Sequence, residues 1–242
     1  MSKSITLSNI VLMLMIAIGD VTYILTGEIL AKAVTSALFV ILGAINFIYV
    51  FAETKEKRKF SIFMLIGLFF AFLGDVVLYY EFCVGAALFA TGHILFFVAY
   101  IFNEKFNWKD LIPAAIIFVI SLLIILIAPV LKINVLMKVV AIVYALIISI
   151  MLGKAIANLI RNRSALNIVI LIGSALFYFS DLMLLFARFG GIYACSVLCL
   201  STYYPAEILL AISILLAKDK QQKNEKLNNV LNNIKENKQT KQ

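Results

Sequence analysis

Three aspartates occupy equivalent positions in three long apolar segments of this 242-residue sequence. Asp20, Asp75 and Asp181 each interrupt a run of roughly 20 apolar residues, a length sufficient to cross a bilayer. A carboxylate inside the hydrocarbon layer costs roughly 3 kcal/mol on insertion scales. Three carboxylates at the same depth in the membrane therefore indicate a common role.

The composition sets the fold class, because hydrophobic residues make up 64% of the chain. No soluble domain can bury that much apolar surface, and the runs lack the polar–apolar alternation of barrel strands. We therefore expect an all-α polytopic membrane protein, a bundle of eight transmembrane helices joined by short loops. The predicted spans are 5–26, 32–52, 60–80, 84–102, 110–128, 134–155, 166–187 and 193–217.

Two regions follow from this pattern: a transmembrane domain over 1–217 and a basic cytoplasmic tail over 218–242, rich in Lys, Asn and Gln. Within the tail, Leu227, Leu231 and Ile234 have the spacing of one short amphipathic helix on the membrane surface. A solvated tail without stable structure is the favoured interpretation. We expect the first span to be retained as a helix, since no small-x-small cleavage site precedes Asp20.

The basic residues predict the orientation. With eight spans, 17 of the 21 Lys and Arg residues fall on the side of the termini. The other side carries only Lys32, Lys132, Lys138 and Arg188. The positive-inside rule therefore places both termini in the cytoplasm. This asymmetry accounts for the net charge of +8, and we expect no nucleic-acid partner.

Polar residues from several helices converge on one depth. Under this topology the three aspartates lie roughly 22 Å above the cytoplasmic ends of their helices, in the outer half of the hydrocarbon layer. Other polar groups at a similar depth are His93 on the fourth span and Tyr203, Tyr204 and Glu207 on the eighth. If these groups share a poorly solvated cavity, a protonated carboxyl can stand beside an ionised one, as general acid–base hydrolysis requires.

Purely structural interpretations stay open for several of these residues. Asp20 and His93 could each hydrogen-bond a neighbouring helix without taking part in chemistry. Glu207 follows Pro205, which removes a backbone donor; this suits a cavity wall or a simple kink. Ser180 is the only serine placed to act as a nucleophile with His93 as base, and it is a poor candidate.

Metal and cofactor chemistry has little support in the sequence. The chain has a single histidine and lacks a Cys-x-x-Cys pair, a phosphate-binding loop and a Gly-x-Ser-x-Gly elbow. We therefore expect neither a metal nor a cofactor.

Four motifs together resemble the YhhN family of membrane proteins, which includes the lysoplasmalogenases. They are Phe72-Leu73-Gly74-Asp75-Val76-Val77-Leu78, Gly85-Ala86-Ala87-Leu88-Phe89-Ala90-Thr91-Gly92-His93, Ser180-Asp181 and Thr202-Tyr203-Tyr204. The resemblance covers about residues 5–217 and rests on the order and spacing of the motifs. Lys32 also resembles a family lysine, although Ala33 follows it where proline is usual. Further departures are Phe96, in place of a tyrosine, and Pro205-Ala206-Glu207, where a small residue and an amide are usual.

The resemblance implies hydrolysis of the vinyl-ether bond of a lysoplasmalogen, a single-chain lysophospholipid. Asp75 and Asp181 are the expected pair of acid and carboxylate, with the order of their roles left open. His93 and Tyr203 or Tyr204 would position water or the headgroup, and Lys32 would meet the phosphate near the outer surface. The chain, rich in Ile, Lys and Asn, is expected in a bacterial plasma membrane.

Two rival functions fit the same residues. Acids and a histidine within a bundle also describe a proton-coupled carrier, although we find no convincing inverted repeat. In a non-catalytic lipid-binding protein, the acids would only hold helices together.

Overall fold

Each predicted apolar run forms one α-helix. The computed structural model describes residues 3–51 and 58–239, with 218–239 described by their backbone alone. The helices are α1 Lys3–Thr26, α2 Ile29–Phe51, α3 Arg58–Tyr80, α4 Phe82–Asn103, α5 Leu111–Ile127, α6 Val135–Arg161, α7 Ala165–Gly190 and α8 Tyr193–Gln239. A 3₁₀ turn, Trp108–Asp110, precedes α5. All eight helices are long and apolar enough to span a membrane, so the predicted integral membrane bundle is confirmed.

Five of the helices form a closed ring. Going round it, α3 packs on α4, α4 on α6, α6 on α7, α7 on α8, and α8 back on α3. Helix α2 lies against α3 and α8, and α1 lies against α2 and α8; α5 packs beside α6. Because α1 and α5 touch few neighbours, most of their apolar side chains face outward, as expected of lipid-facing helices.

Small residues set the closest approaches between neighbouring helices. A Cβ atom on Gly85 of α4 would lie 2.6 Å from the backbone nitrogen of Leu78 on α3. A Cβ on Gly153 of α6 would lie 2.6 Å from the Cα of Ala114 on α5. Only glycine permits these contacts, which let neighbouring backbones touch and their polar side chains meet. Close to the Gly85–Leu78 contact, a single residue, Glu81, connects α3 and α4.

An ionic network fastens the opposite end of the bundle. Asp110 is buried and accepts from Lys154 at 2.8 Å, and it also pairs with Arg161. Both basic side chains donate to the backbone oxygen of Lys105, Lys154 at 3.1 Å and Arg161 at 2.6 Å. The network thus ties the α4–α5 connection to α6.

The same network explains the largest difference from a predicted span. Helix α6 continues to Arg161, six residues beyond the predicted end at 155, and Arg161 is paired there with the buried Asp110. The other membrane-spanning ends lie within three residues of prediction. Helix α8 continues through Gln239 into the segment predicted as a tail, whose side chains and residues 240–242 lie outside those described. The tail's character and the cytoplasmic placement of the termini stay predictions.

We predict that Lys154→Met destabilises the protein by about 3 kcal/mol, because it leaves Asp110 buried with only the partly exposed Arg161 as a counter-ion. Thermal unfolding in detergent measures the loss. Lys109→Met, at an exposed lysine one residue from Asp110, is the matched control. Adding Asp110→Asn to Lys154→Met should recover part of the loss, and equal melting temperatures for the two lysine variants would contradict the prediction.

Candidate functional site

Asp75 lies at the junction of three helices. Its Oδ1 is 2.7 Å from the Nζ of Lys32 on α2. Its Oδ2 accepts hydrogen bonds from Ser36, one turn along α2, and from the hydroxyl of Tyr204 on α8 at 3.2 Å. Asp75 and Lys32 are 3% and 7% exposed, so the pair is screened from water and lipid. This arrangement supplies the Asp75 carboxylate with one cation and two hydroxyl donors inside the bundle.

Asp181 has a different set of partners. Its Oδ2 accepts from the Tyr144 hydroxyl of α6 at 2.7 Å and lies 3.1 Å from Nε2 of His93 on α4. His93 Nε2 and the Tyr144 hydroxyl are themselves 2.8 Å apart, which closes a triangle of three side chains. The fully buried His93 ring packs edge-on against Phe177, with ring centroids 4.6 Å apart. No Lys or Arg forms an ion pair with Asp181 among the described residues.

The two aspartates face one cavity of about 190 Å³, here named the polar chamber. It lies toward the end of the ring at which Glu81 connects α3 and α4, and it is large enough for several water molecules. Of the candidate residues, the chamber wall contains Lys32, Asp75, Ser180, Asp181 and Tyr203. His93 and Tyr204 stand behind the wall and contact Asp181 and Asp75. The convergence expected from matched depth is therefore present in the structure.

A family comparison covers the helices that carry this site. The model of the YhhN family matches residues 27–214. This chain belongs to the YhhN family. No curated protein and no solved structure matches it significantly. The matched region begins after α1, so it contains both chamber aspartates of this YhhN protein, whereas Asp20 lies outside it.

The surroundings of Ser180 and Lys32 differ from those that the sequence suggested. The Ser180 hydroxyl donates to the backbone oxygen of Cys199 at 3.0 Å, and no hydrogen bond joins it to His93 in the described chain. A Ser–His nucleophile is therefore not assembled. Lys32, predicted near the outer surface, is buried and paired with Asp75, although it also lines the chamber.

Asp20 and Glu207 are buried but lie outside the chamber wall. Asp20 sits where α1 approaches α2 closely, since a Cβ on the adjacent Gly19 would lie 3.1 Å from the Cβ of Thr35. Glu207 is completely buried, and neither of its carboxylate oxygens has a hydrogen-bond partner among the residues described. An ionised carboxylate without any partner is very costly to bury, so this position suits a neutral side chain.

Sequence reasoning missed Tyr144 and Ser36. Tyr144 is the only tyrosine of α6 and is surrounded in sequence by aliphatic residues, so no polar neighbour marked it as a site residue. Ser36 follows Lys32 by four residues and so lies on the same face of α2. The Lys-x-x-x-Ser spacing is the signal that could have found it. Across the described residues, no group of three or more His, Cys, Asp or Glu side chains is arranged to hold a metal ion.

We predict that Glu207→Gln leaves the melting temperature unchanged or raises it, because the amide keeps the shape of a neutral carboxylic acid. Thermal unfolding of the purified protein in detergent measures this. Asp75→Asn provides the contrast, since it strands the buried Lys32 ammonium and should cost about 3 kcal/mol. A comparable fall for Glu207→Gln would show that Glu207 is ionised and paired.

Proposed function

We propose that this YhhN protein is a lysoplasmalogenase, which hydrolyses the vinyl-ether bond of a lysoplasmalogen to a fatty aldehyde and a glycerophospho-base. The observation that carries the proposal is the contrast between two aspartates on one chamber. Asp75 is paired with a cation, whereas Asp181 is held only by a histidine and a tyrosine. A pair of carboxyl groups in unequal environments is the arrangement required for acid–base catalysis.

The reaction needs one proton donor and one stabilising anion. Protonation of the vinyl-ether β-carbon converts the carbon–carbon double bond into an oxocarbenium ion. Water then adds to the carbon that bears the ether oxygen, losing a proton to a base and giving a hemiacetal. The hemiacetal collapses to the aldehyde and the free glycerol hydroxyl. Glycosidases pass through a similar cation and also use two carboxyl groups.

Asp181 is the proton donor in this proposal. When it gives up its proton, the carboxylate that forms accepts hydrogen bonds from Tyr144 and from His93 Nε2. These bonds strengthen as negative charge develops, so they lower the barrier to proton transfer. Both hydrogen bonds are to Oδ2 of Asp181. In this proposal, Oδ1 therefore carries the proton that Asp181 donates to the substrate.

Asp75 is the stabilising anion. It lies on the same chamber, and Lys32 together with two hydroxyl donors keeps it ionised in a poorly solvated site. Its negative charge favours the oxocarbenium ion, and it accepts a proton from the attacking water. Lys32 also lines the chamber and can contact the phosphate of the headgroup.

The predicted orientation defines the source of the substrate. With the termini in the cytoplasm, the chamber opens toward the outer leaflet of the membrane, which we propose to be a bacterial plasma membrane. A lysophospholipid in that leaflet brings its headgroup to the chamber mouth without crossing the bilayer.

We predict that purified protein releases aldehyde from lysoplasmalogen in detergent and that Asp75→Asn and Asp181→Asn each reduce kcat/KM at least about 100-fold. Aldehyde release is followed by a coupled dehydrogenase assay. Glu81→Gln, at an exposed acid between α3 and α4, is the matched control and should keep wild-type activity.

The outcomes separate the rival functions. Flux of lipid or protons into liposomes without bond cleavage would support a carrier. Variants that retain their fold and full hydrolysis would remove both aspartates from the mechanism. A folded wild-type protein that binds the lipid without cleaving it would support the lipid-binding interpretation.

The fate of solvent atoms gives a second test. In D₂O, one deuterium should enter carbon 2 of the aldehyde, because the proton is added to the β-carbon. In H₂¹⁸O, the label should enter the aldehyde and not the glycerol product. Borohydride in the quench converts the aldehyde to an alcohol before solvent exchange, and mass spectrometry reads both labels. Oxygen-18 in the glycerophospho product would instead indicate cleavage of the other ether bond.

A further inference from the structure

A second cavity lies beside the polar chamber within the outer half of the bundle. It has a volume of about 90 Å³ and is bounded by α4, α5, α6 and α7. We name it the apolar groove, defined along α6 by residues from Met137 to Ile148. The 11 helical steps from Met137 to Ile148 span about 16 Å, which is close to half of the roughly 30 Å hydrocarbon layer.

The polar groups in the lining of the groove are already satisfied. Ser121 and Tyr178 hydrogen-bond each other at 2.7 Å, and the Tyr144 hydroxyl donates to Asp181. The remaining wall is formed almost entirely by aliphatic and aromatic side chains. The groove therefore offers little to a polar ligand, whereas a hydrocarbon fits its surface chemistry.

The groove and the chamber share a wall. Leu78, Phe89, Asp181 and Leu184 line both cavities. The backbone does not separate them, because no Cα of α7 lies within 8 Å of a Cα of α3 or α4. Only side chains fill that space, such as the edge-on pair Phe89–Phe177 with centroids 6.0 Å apart. Side chains alone therefore separate the two cavities beside Asp181.

The geometry points to the groove as the binding site for the hydrocarbon tail of a single-chain lipid, with the headgroup in the chamber and the bond between them beside Asp181. This inference rests on the proposed function and adds the placement of the substrate. A vinyl-ether bond is the junction between a polar headgroup and an apolar tail. Asp181 stands at the corresponding junction between a polar and an apolar cavity.

Photo-crosslinking tests this placement without needing turnover. The probe is a lysophospholipid analogue with a saturated alkyl ether, which cannot be hydrolysed, and a diazirine near the end of its tail. We expect mass spectrometry to locate the crosslinks on groove residues such as Val140 and Ala145. Excess unlabelled alkyl lysophospholipid should compete, because a built site saturates whereas contact with bulk lipid does not.

A pair of substitutions on α6 provides the control. Ala141 lines the groove, and Ala141→Trp should fill it and lower the groove crosslinks at least ten-fold. Val143 is 53% exposed on the outer face of the same helix, and Val143→Trp should leave them unchanged. Tail crosslinks that fall only on outward-facing residues, or that unlabelled lipid does not reduce, would overturn the inference.

The crosslinking experiment and the activity assay distinguish failure of the tail site from failure of the proposed function. Saturable groove crosslinks in a protein that cleaves no lysoplasmalogen would sustain the tail site and reject the enzyme. Cleavage of lysoplasmalogen with crosslinks confined to the outer surface would sustain the enzyme and reject the tail site. If Ala141→Trp does not fold, the wild-type protein still decides whether the groove binds the tail. The deciding observations are the residues that are crosslinked and the reduction of crosslinking by unlabelled lipid.

Discussion

The ion pair between Lys32 and Asp75 is the contact on which the half of the bundle around the polar chamber depends. A lone carboxylate in this water-poor interior would have to be neutral. The ammonium at 2.7 Å, with hydroxyls from Ser36 and Tyr204, lets Asp75 keep its charge and joins α2, α3 and α8 in doing so. Without it, Asp75 would be a buried acid with no cation beside it. The same contacts of Asp75 thus join three helices and hold the proposed stabilising anion.

The buried carboxylates form a graded series. Asp110 pairs with two cations and lies at the end of the bundle opposite the chamber. Asp75 pairs with one, whereas Asp181 and Glu207 have no lysine or arginine partner among the residues described. Of these four, Asp75 and Asp181 line the polar chamber. Charge compensation makes Asp110 an anchor of structure, whereas Asp181 has only His93 and Tyr144 as side-chain partners.

The fold was largely predictable because each membrane span is a local property of the sequence. Hydrophobic length defined the eight helices, and matched depth identified Asp75 and Asp181 as neighbours. Lateral placement is different, since it depends on which helix faces pack together. The sequence therefore indicated the depth of Asp20 but not its exclusion from the chamber wall, and it gave no reason to bring Tyr144 to Asp181. The end of α6 at Arg161 was missed for the same reason, because its counter-ion Asp110 comes from another segment.

The unequal surroundings of the two aspartates also restrict the order of their roles. Removing a proton from Asp181 creates an anion that two existing donors, Tyr144 and His93, are placed to receive. Adding a proton to Asp75 would instead break its attraction to Lys32. In the proposed mechanism, Asp181 is therefore the initial acid and Asp75 the stabiliser of positive charge. The proposed direction of proton transfer rests on the single lysine of α2.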